Sequence, residues 1–107
     1  MASQHLLRIT MAIGAVAKLT CKEGANAEFE AGFKKLQKVV KKNEPDCLFY
    51  LLNKSRDDDT TYYVMANYAN AKAIEFHGSY DEYRETSKAL GPLSGARPEI
   101  TVMDQID

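Results

Sequence analysis

The stretch NEPDCLFY, residues 43–50, decides the fold of this 107-residue chain. Upstream of it, apolar residues recur at the spacing of an amphipathic helix: Phe29, Phe33, Leu36 and Val40. Pro45 ends that helix, because the residue before a proline is pushed out of the helical region. The apolar run that follows predicts a strand at 47–54, so the stretch joins a helix directly to a strand.

Further segments on both sides complete the pattern. Runs rich in β-branched and aromatic residues predict three more strands, at 13–21, 60–68 and 99–105. Asn70 is the predicted N-cap of a short helix at 71–77, and a second helical piece follows at 80–90. The order β-α-β-β-α-β predicts an α+β, ferredoxin-like domain with an antiparallel sheet.

Two of the predicted strands are apolar on both faces, and two helices can cover only one face of a sheet. On the first strand Ile13, Ala15, Ala17 and Leu19 alternate with Gly14 and Val16, and on the second Leu48, Tyr50 and Leu52 alternate with Phe49 and Leu51. An exposed apolar sheet of this size is a liability in a monomer. We therefore expect a homodimer in which two sheets pack together into an α/β barrel.

Charge and hydropathy narrow the classes of partner. The formal net charge of −1 provides no basic surface for nucleic acid or for an anionic membrane. No apolar run approaches the ~18 residues that a membrane-spanning helix needs. We expect a single cytoplasmic domain at 11–107, preceded by a flexible leader at 1–10.

Neither a disulfide framework nor a metal site is predicted. Cys21 and Cys47 are too few for a disulfide scaffold, and their separation fits no metal-ligand spacing. Asp57, Asp58 and Asp59 lie in the polar turn between two strands, where adjacent carboxylates are ordinary turn residues. We expect reduced thiols and no bound metal.

Several short pieces of the chain, taken in order, carry a family resemblance. They are VAKLT at 16–20, EFE at 28–30 with Phe33, NEPDC at 43–47, SRDD at 55–58, YA at 68–69 with His77, LGPL at 90–93 and PEI at 98–100. Over nearly all of residues 12–106 the chain resembles the antibiotic biosynthesis monooxygenases, a quinol monooxygenase-like family of the dimeric α/β barrel superfamily. The family includes quinol and anthrone-type oxygenases without metal or flavin, haem-degrading enzymes and an isomerase of a phosphorylated signalling sugar.

Some positions depart from the pattern that the resemblance implies. The family's usual glutamate on the third strand is matched by Ala66, and a second family histidine by Glu82. A carboxylate often orients a histidine, so with Ala66 that support for the helix histidine is missing. The haem-degrading branch has asparagine, tryptophan and histidine at positions matched here by Ala17, His77 and Ser87, so haem degradation is disfavoured.

His77 is the predicted catalytic base. A cofactor-free oxygenase must take a proton from a phenol or hydroquinone, hold the resulting anion and exclude water. Histidine titrates at about pH 6.5 and so suits this task. The predicted substrate-binding residues are Tyr50, Tyr63, Tyr68, Ile74, Tyr83 and, for an anionic substrate, Arg97.

Three functions are compatible with these residues and this resemblance. The leading hypothesis is a cofactor-independent monooxygenase that acts on a hydroquinone or a polycyclic phenol. The alternative is a non-catalytic dimer of the same fold that binds a small apolar or aromatic ligand. The third is an isomerase of a phosphorylated small molecule, which the lack of a glycine-rich phosphate-binding loop disfavours.

Overall fold

The structure is a computed structural model that describes residues 11–106, and the predicted leader at 1–10 lies outside the described residues. The described elements follow the order β-α-β-β-α-α-β, which confirms the predicted ferredoxin-like α+β fold. The strands are β1 (Ile13–Thr20), β2 (Cys47–Lys54), β3 (Thr61–Tyr68) and β4 (Glu99–Asp104). The helices are α1 (Asn26–Asn43), α2 (Ala71–Phe76) and α3 (Asp81–Lys88), and a 3₁₀ turn follows at Gly91–Leu93.

The four strands form one antiparallel sheet in the order β2-β3-β1-β4. In its centre, Ala17 of β1 pairs with Val64 of β3 on one side and with Ile100 of β4 on the other. β2 pairs with β3, and its register shifts between Cys47 and Phe49. Because side chains alternate along a strand, this register sorts the residues of the sheet onto two faces.

The covered face is the side of the sheet on which the helices pack. α1 presents its predicted apolar residues to this side, each at most 2% exposed: Phe29, Phe33, Leu36 and Val40. Tyr62 and Val64 of β3 belong to the same buried cluster. Burying one side chain of this size contributes roughly 1.5–3 kcal/mol, so packing on the sheet is what mainly stabilises α1.

The open face is the opposite side of the sheet. Large apolar side chains stay between 42% and 52% exposed there: Phe49, Leu51, Met65 and Met103. They are contiguous, because Leu51 pairs with Met65, and Met65 pairs in turn with Val16. The predicted apolar second face is therefore present.

The junction at residues 43–50 forms as predicted. α1 ends at Asn43, two residues before Pro45, and β2 has the predicted bounds. The backbone N–H of Glu44 donates to the carbonyl of Val40 at 2.8 Å, and the N–H of Cys47 donates to the carbonyl of Glu44 at 3.0 Å. Glu44 is thus fixed between a helix end and a turn.

Several element ends differ by one or two residues from the prediction. Cys21 leaves β1 because it bridges Ser94, while the N–H of Gly95 donates to the carbonyl of Thr20 at 2.7 Å. The chain turns sharply after α2 because Gly78 has a φ of 78°, a conformation that glycine adopts without strain. The second helical region is therefore two short helices.

The polar turn at 55–59 is held by its own side chains. The hydroxyl of Ser55 accepts from the backbone N–H groups of Asp57 and Asp58, both at 3.1 Å. Oδ1 of Asp58 accepts from the N–H of Thr60 at 3.1 Å, and Asp59 pairs with Lys54 at 2.8 Å. These aspartates therefore stabilise the hairpin turn.

Two further observations concern thiols and membranes. Cys21 and Cys47 are free thiols, of which Cys21 is buried. Within residues 11–106, no helix combines the length and the apolar character needed to cross a bilayer.

Candidate active site

A cavity of about 550 Å³ lies between the covered face and the helices. The cavity reaches down to the backbone of the sheet because three small residues lie side by side on β1 and β3: Ala15, Ala17 and Ala66. Ala15 pairs directly with Ala66. Phe33 and Leu36 of α1 form part of the wall. Small side chains on the sheet opposite large ones on the helix leave space of the size that small-molecule sites occupy, roughly 300–1,000 Å³.

His77 lines this cavity from the C-terminal end of α2. The helix begins at Asn70, whose side chain accepts from the N–H of Ala73 at 3.0 Å, as predicted for an N-cap. It ends where the N–H of His77 donates to the carbonyl of Ala73 at 3.2 Å. Gly78 then turns the chain away, so the imidazole ring is left at the helix end, beside the sheet.

A buried carboxylate, Glu44, contacts His77 from the end of α1. Nδ1 of His77 lies 2.9 Å from Oε1 and 3.1 Å from Oε2 of Glu44. The hydroxyl of Tyr80 also donates to Oε2. The side chain of Glu44 is 2% exposed and that of His77 is 18% exposed, so this charge-capable pair is largely removed from water.

Three tyrosines surround the ring of His77. Its centroid lies 4.7 Å from that of Tyr83, 5.2 Å from that of Tyr50 and 5.4 Å from that of Tyr68. Burial raises the pKa of all three phenols, so each keeps its proton at neutral pH. An interaction with the hydroxyl of Tyr50 opposes the rise in the pKa of Tyr83. The ring therefore lies between the carboxylate of Glu44 and three neutral phenols.

The structure brings together five of the seven predicted site residues. Those that line the cavity are Tyr50, Tyr68, Ile74, His77 and Tyr83. Tyr63 points to the open face, since it pairs with Lys18 and Asn53 and alternates with buried Tyr62 and Val64. Arg97 is exposed and lies outside the cavity lining.

Two residues of the cluster, Glu44 and Tyr80, are absent from the sequence-based prediction. The sequence carries no signal for either residue, because both depend on contacts between elements that are far apart in the chain. In the part of the chain from 11 to 106, no group of three acidic, histidine or cysteine side chains is placed to hold a metal ion.

The sequence pattern of the antibiotic biosynthesis monooxygenases matches residues 12–89. The chain belongs to this family. A candidate antibiotic biosynthesis monooxygenase from Caulobacter crescentus is 34% identical and superposes with a TM-score of 0.88, over 98% of this chain and 99% of that one. No curated protein matches the chain significantly in sequence.

Less similar proteins of known structure share the fold. SnoaB, a cofactor-independent oxygenase from Streptomyces nogalater, is 23% identical, with a TM-score of 0.78 over 91% of this chain and 95% of that one. A conserved protein from Methanosarcina mazei is 19% identical, with a TM-score of 0.79 over 92% and 96% of the two chains. At these identities the likeness concerns the fold alone.

The two departures from the usual pattern of the antibiotic biosynthesis monooxygenases have clear structural settings. Ala66 is 5% exposed and forms part of the cavity floor, where a longer side chain would fill the space. Glu82 lies on the surface at the start of α3, where it accepts from Asn43 at 2.7 Å and pairs with Lys42 at 3.2 Å. These two contacts, the first the larger, lower the pKa of Glu82.

The strand carboxylate is absent, as Ala66 indicates, but His77 has a carboxylate partner on another element. The missing glutamate on β3 is replaced by Glu44, which approaches the ring from the end of α1. With Nδ1 on Glu44, Nε2 is the ring nitrogen that can act on a molecule in the cavity. This arrangement can accept a proton from a hydroxyl that is bound beside the largely buried pair of His77 and Glu44.

Proposed function

We propose that this protein is a cofactor-independent monooxygenase that acts on an uncharged hydroquinone or polycyclic phenol. One observation carries the proposal: His77, bonded through Nδ1 to buried Glu44, lines a largely apolar cavity of about 550 Å³. A cavity of that size takes a ligand of two or more fused rings. Membership of the antibiotic biosynthesis monooxygenases supports the reaction class.

The chemistry needs only the substrate, dioxygen and a base. Nε2 of His77 takes the proton of a ring hydroxyl, and the phenolate transfers one electron to dioxygen. The resulting radical and superoxide combine into a C–O bond, which gives a peroxide. Cleavage of its O–O bond leaves one oxygen atom on the oxidised ring and releases the other as water, so hydroquinone plus dioxygen becomes hydroxyquinone plus water. The tyrosines around His77 stabilise the phenolate by donating hydrogen bonds.

The cavity favours substrates without a charged group. None of its described lining residues is lysine, arginine, aspartate or glutamate. The hydroxyls of Ser87 and Ser94 also line it, but they donate to the carbonyls of Arg84 and Leu90. A phosphate or carboxylate on the substrate would therefore find no lysine or arginine to pair with there, and burying a charge without such a partner is costly. This speaks against the isomerisation of a phosphorylated compound.

We include a homodimer in the proposal, formed by packing two open faces against each other. Phe49, Leu51, Met65 and Met103 form a contiguous apolar surface there. Apolar patches of such extent on a soluble domain usually mark an interface. The occupant proposed is a second copy of the same chain, as the α/β barrel predicted from the sequence requires.

The alternative is a dimer that binds an aromatic ligand without turnover. Ala66 favours this alternative, because the strand position that usually carries a glutamate has no ionisable side chain here. It shares the cavity, the dimer and the ligand class with the oxygenase, so only product formation separates the two.

The test is oxygen uptake by metal-stripped protein with a panel of uncharged hydroquinones and anthrones. We expect His77→Ala to lower kcat by about 100-fold or more, the size of a general-base contribution, while the oligomeric state is retained. Mass spectrometry should find a product that carries one oxygen atom from labelled dioxygen.

Two results would contradict the proposal. Oxygen uptake by His77→Ala at the wild-type rate would show that His77 is not the catalytic base. Saturable binding without any oxidised product, across the whole panel, would support the ligand-binding alternative.

A further inference from the structure

We propose that Glu44 is the positioning residue of the active site: its carboxylate holds the ring of His77 with the proton on Nδ1, so that Nε2 accepts the proton of the substrate. This rests on the proposed function for its catalytic meaning, but the orientation of the ring can be tested without turnover.

The geometry around Nδ1 assigns the direction of the hydrogen bond. Both carboxylate oxygens of Glu44 lie within 3.1 Å of this nitrogen. An ionised carboxylate only accepts hydrogen bonds, whereas each ring nitrogen can either donate or accept. Nδ1 of His77 is therefore the donor, and in the neutral ring Nε2 carries the lone pair.

The carboxylate is itself held rigidly. Its backbone is fixed on one side by the bond to Val40 at the end of α1 and on the other by the turn to Cys47. The hydroxyl of Tyr80, the residue just before α3, donates to Oε2 and so anchors the side chain from a second part of the chain. Such anchoring holds the histidine within the narrow geometry that proton transfer needs.

Placing the carboxylate behind the ring also suits the chemistry. When Nε2 takes a proton the ring becomes a cation, and Glu44 lies in direct contact with it. In a site of low polarity this attraction is stronger than in water. Glu44 thus supports the protonated base without touching the substrate, and leaves the floor at Ala66 open.

The matched test compares two Glu→Gln substitutions. Glu44→Gln keeps the size of the side chain but removes its charge, and we expect kcat to fall about 10- to 100-fold, part of the general-base contribution, with KM within about twofold. Glu30→Gln is the control, because Glu30 accepts from Tyr62 at 2.6 Å in a similar pair outside the cavity. It should leave kcat unchanged. Tyr80→Phe keeps the contact between Glu44 and His77, and we expect a loss of at most about threefold.

A nitrogen-15 NMR experiment on resting protein tests the orientation directly. Long-range couplings between ring nitrogens and ring protons distinguish the two neutral forms of the imidazole, and His77→Ala identifies its signals. We expect the proton on Nδ1 in wild type, Glu30→Gln and Tyr80→Phe, and a mixture of both forms in Glu44→Gln.

The outcomes separate this proposal from the proposed function. A wild-type ring with its proton on Nε2, or an unchanged kcat in folded Glu44→Gln, would overturn the role of Glu44. If wild type turns over no substrate, the oxygenase fails, while the NMR result still decides whether Glu44 orients the ring. If Glu44→Gln does not fold, the wild-type spectrum alone decides.

Discussion

The two faces of the sheet are built from similar residues but end in different surroundings. On the covered face, Tyr62, Val64 and Tyr68 are at most 4% exposed, and a cavity lies between this face and the helices. On the open face, Leu51 and Met65 are 52% and 47% exposed. Strand alternation alone separates the two sets. The difference indicates a division of tasks, in which one face holds the proposed chemistry and the other the proposed assembly.

A charge on the open face should have the largest effect. We expect Leu51→Glu to raise the dissociation constant of the dimer by at least about 100-fold, because it removes an apolar contact worth roughly 1.5–3 kcal/mol and buries a carboxylate in each copy. Sedimentation equilibrium would measure it. Lys38→Glu on α1, away from the sheet, is the control and should leave the dimer intact. A wild-type monomer at high micromolar concentration would refute the assembly.

The reactivity of the Cys47 thiol reports on how buried the region around Glu44 is. Burial, and second the charge of Glu44, raise the pKa of Cys47 to about 11. Since only the thiolate is nucleophilic, this higher pKa makes alkylation at pH 8 roughly 100-fold slower than that of an ordinary thiol. The rate should climb with pH until about 11. Iodoacetamide labelling followed by mass spectrometry measures this rate. The Cys47→Ser variant gives the labelling of Cys21 alone, which is subtracted. Labelling at the rate of a free thiol would contradict this picture.

The smallest effect compares two tyrosines of β3 on opposite faces. Tyr68→Phe removes a hydroxyl from the cavity, and we expect kcat/KM to fall about three- to tenfold, the effect of one hydrogen bond. Tyr63→Phe changes the open face and should leave kcat/KM unchanged. Steady-state oxygen uptake measures both. Equal losses in the two variants would mean that the faces do not divide the tasks.

Much of the fold could be predicted from the sequence because its signals are local. The apolar spacing of α1, the proline that ends it and the cap at Asn70 each act within a few residues. β2 was predicted with its observed bounds for the same reason. The ends that shifted, such as Cys21 at β1, depend on a bridge to Ser94, far along the chain.

The site was predicted less completely because it depends on distances between elements. His77 and Glu44 are 33 residues apart, and no periodicity in the sequence relates them. The predicted set also combined Tyr63 with Tyr68, although an odd separation on one strand places them on opposite faces. Alternation was thus sufficient to separate these two, whereas the contact with Glu44 required the packed structure.

The shortness of α2 has a consequence for thermal inactivation. The helix has six residues, none of them fully buried, and an isolated helix below ~12 residues is marginal in water. We therefore expect its amide hydrogens to exchange faster than those of β3, which lies between two other strands. The proposed base therefore lies at the end of a helix that we expect to open before the sheet does. On heating, the protein should lose its proposed activity reversibly at temperatures at which its sheet is still intact.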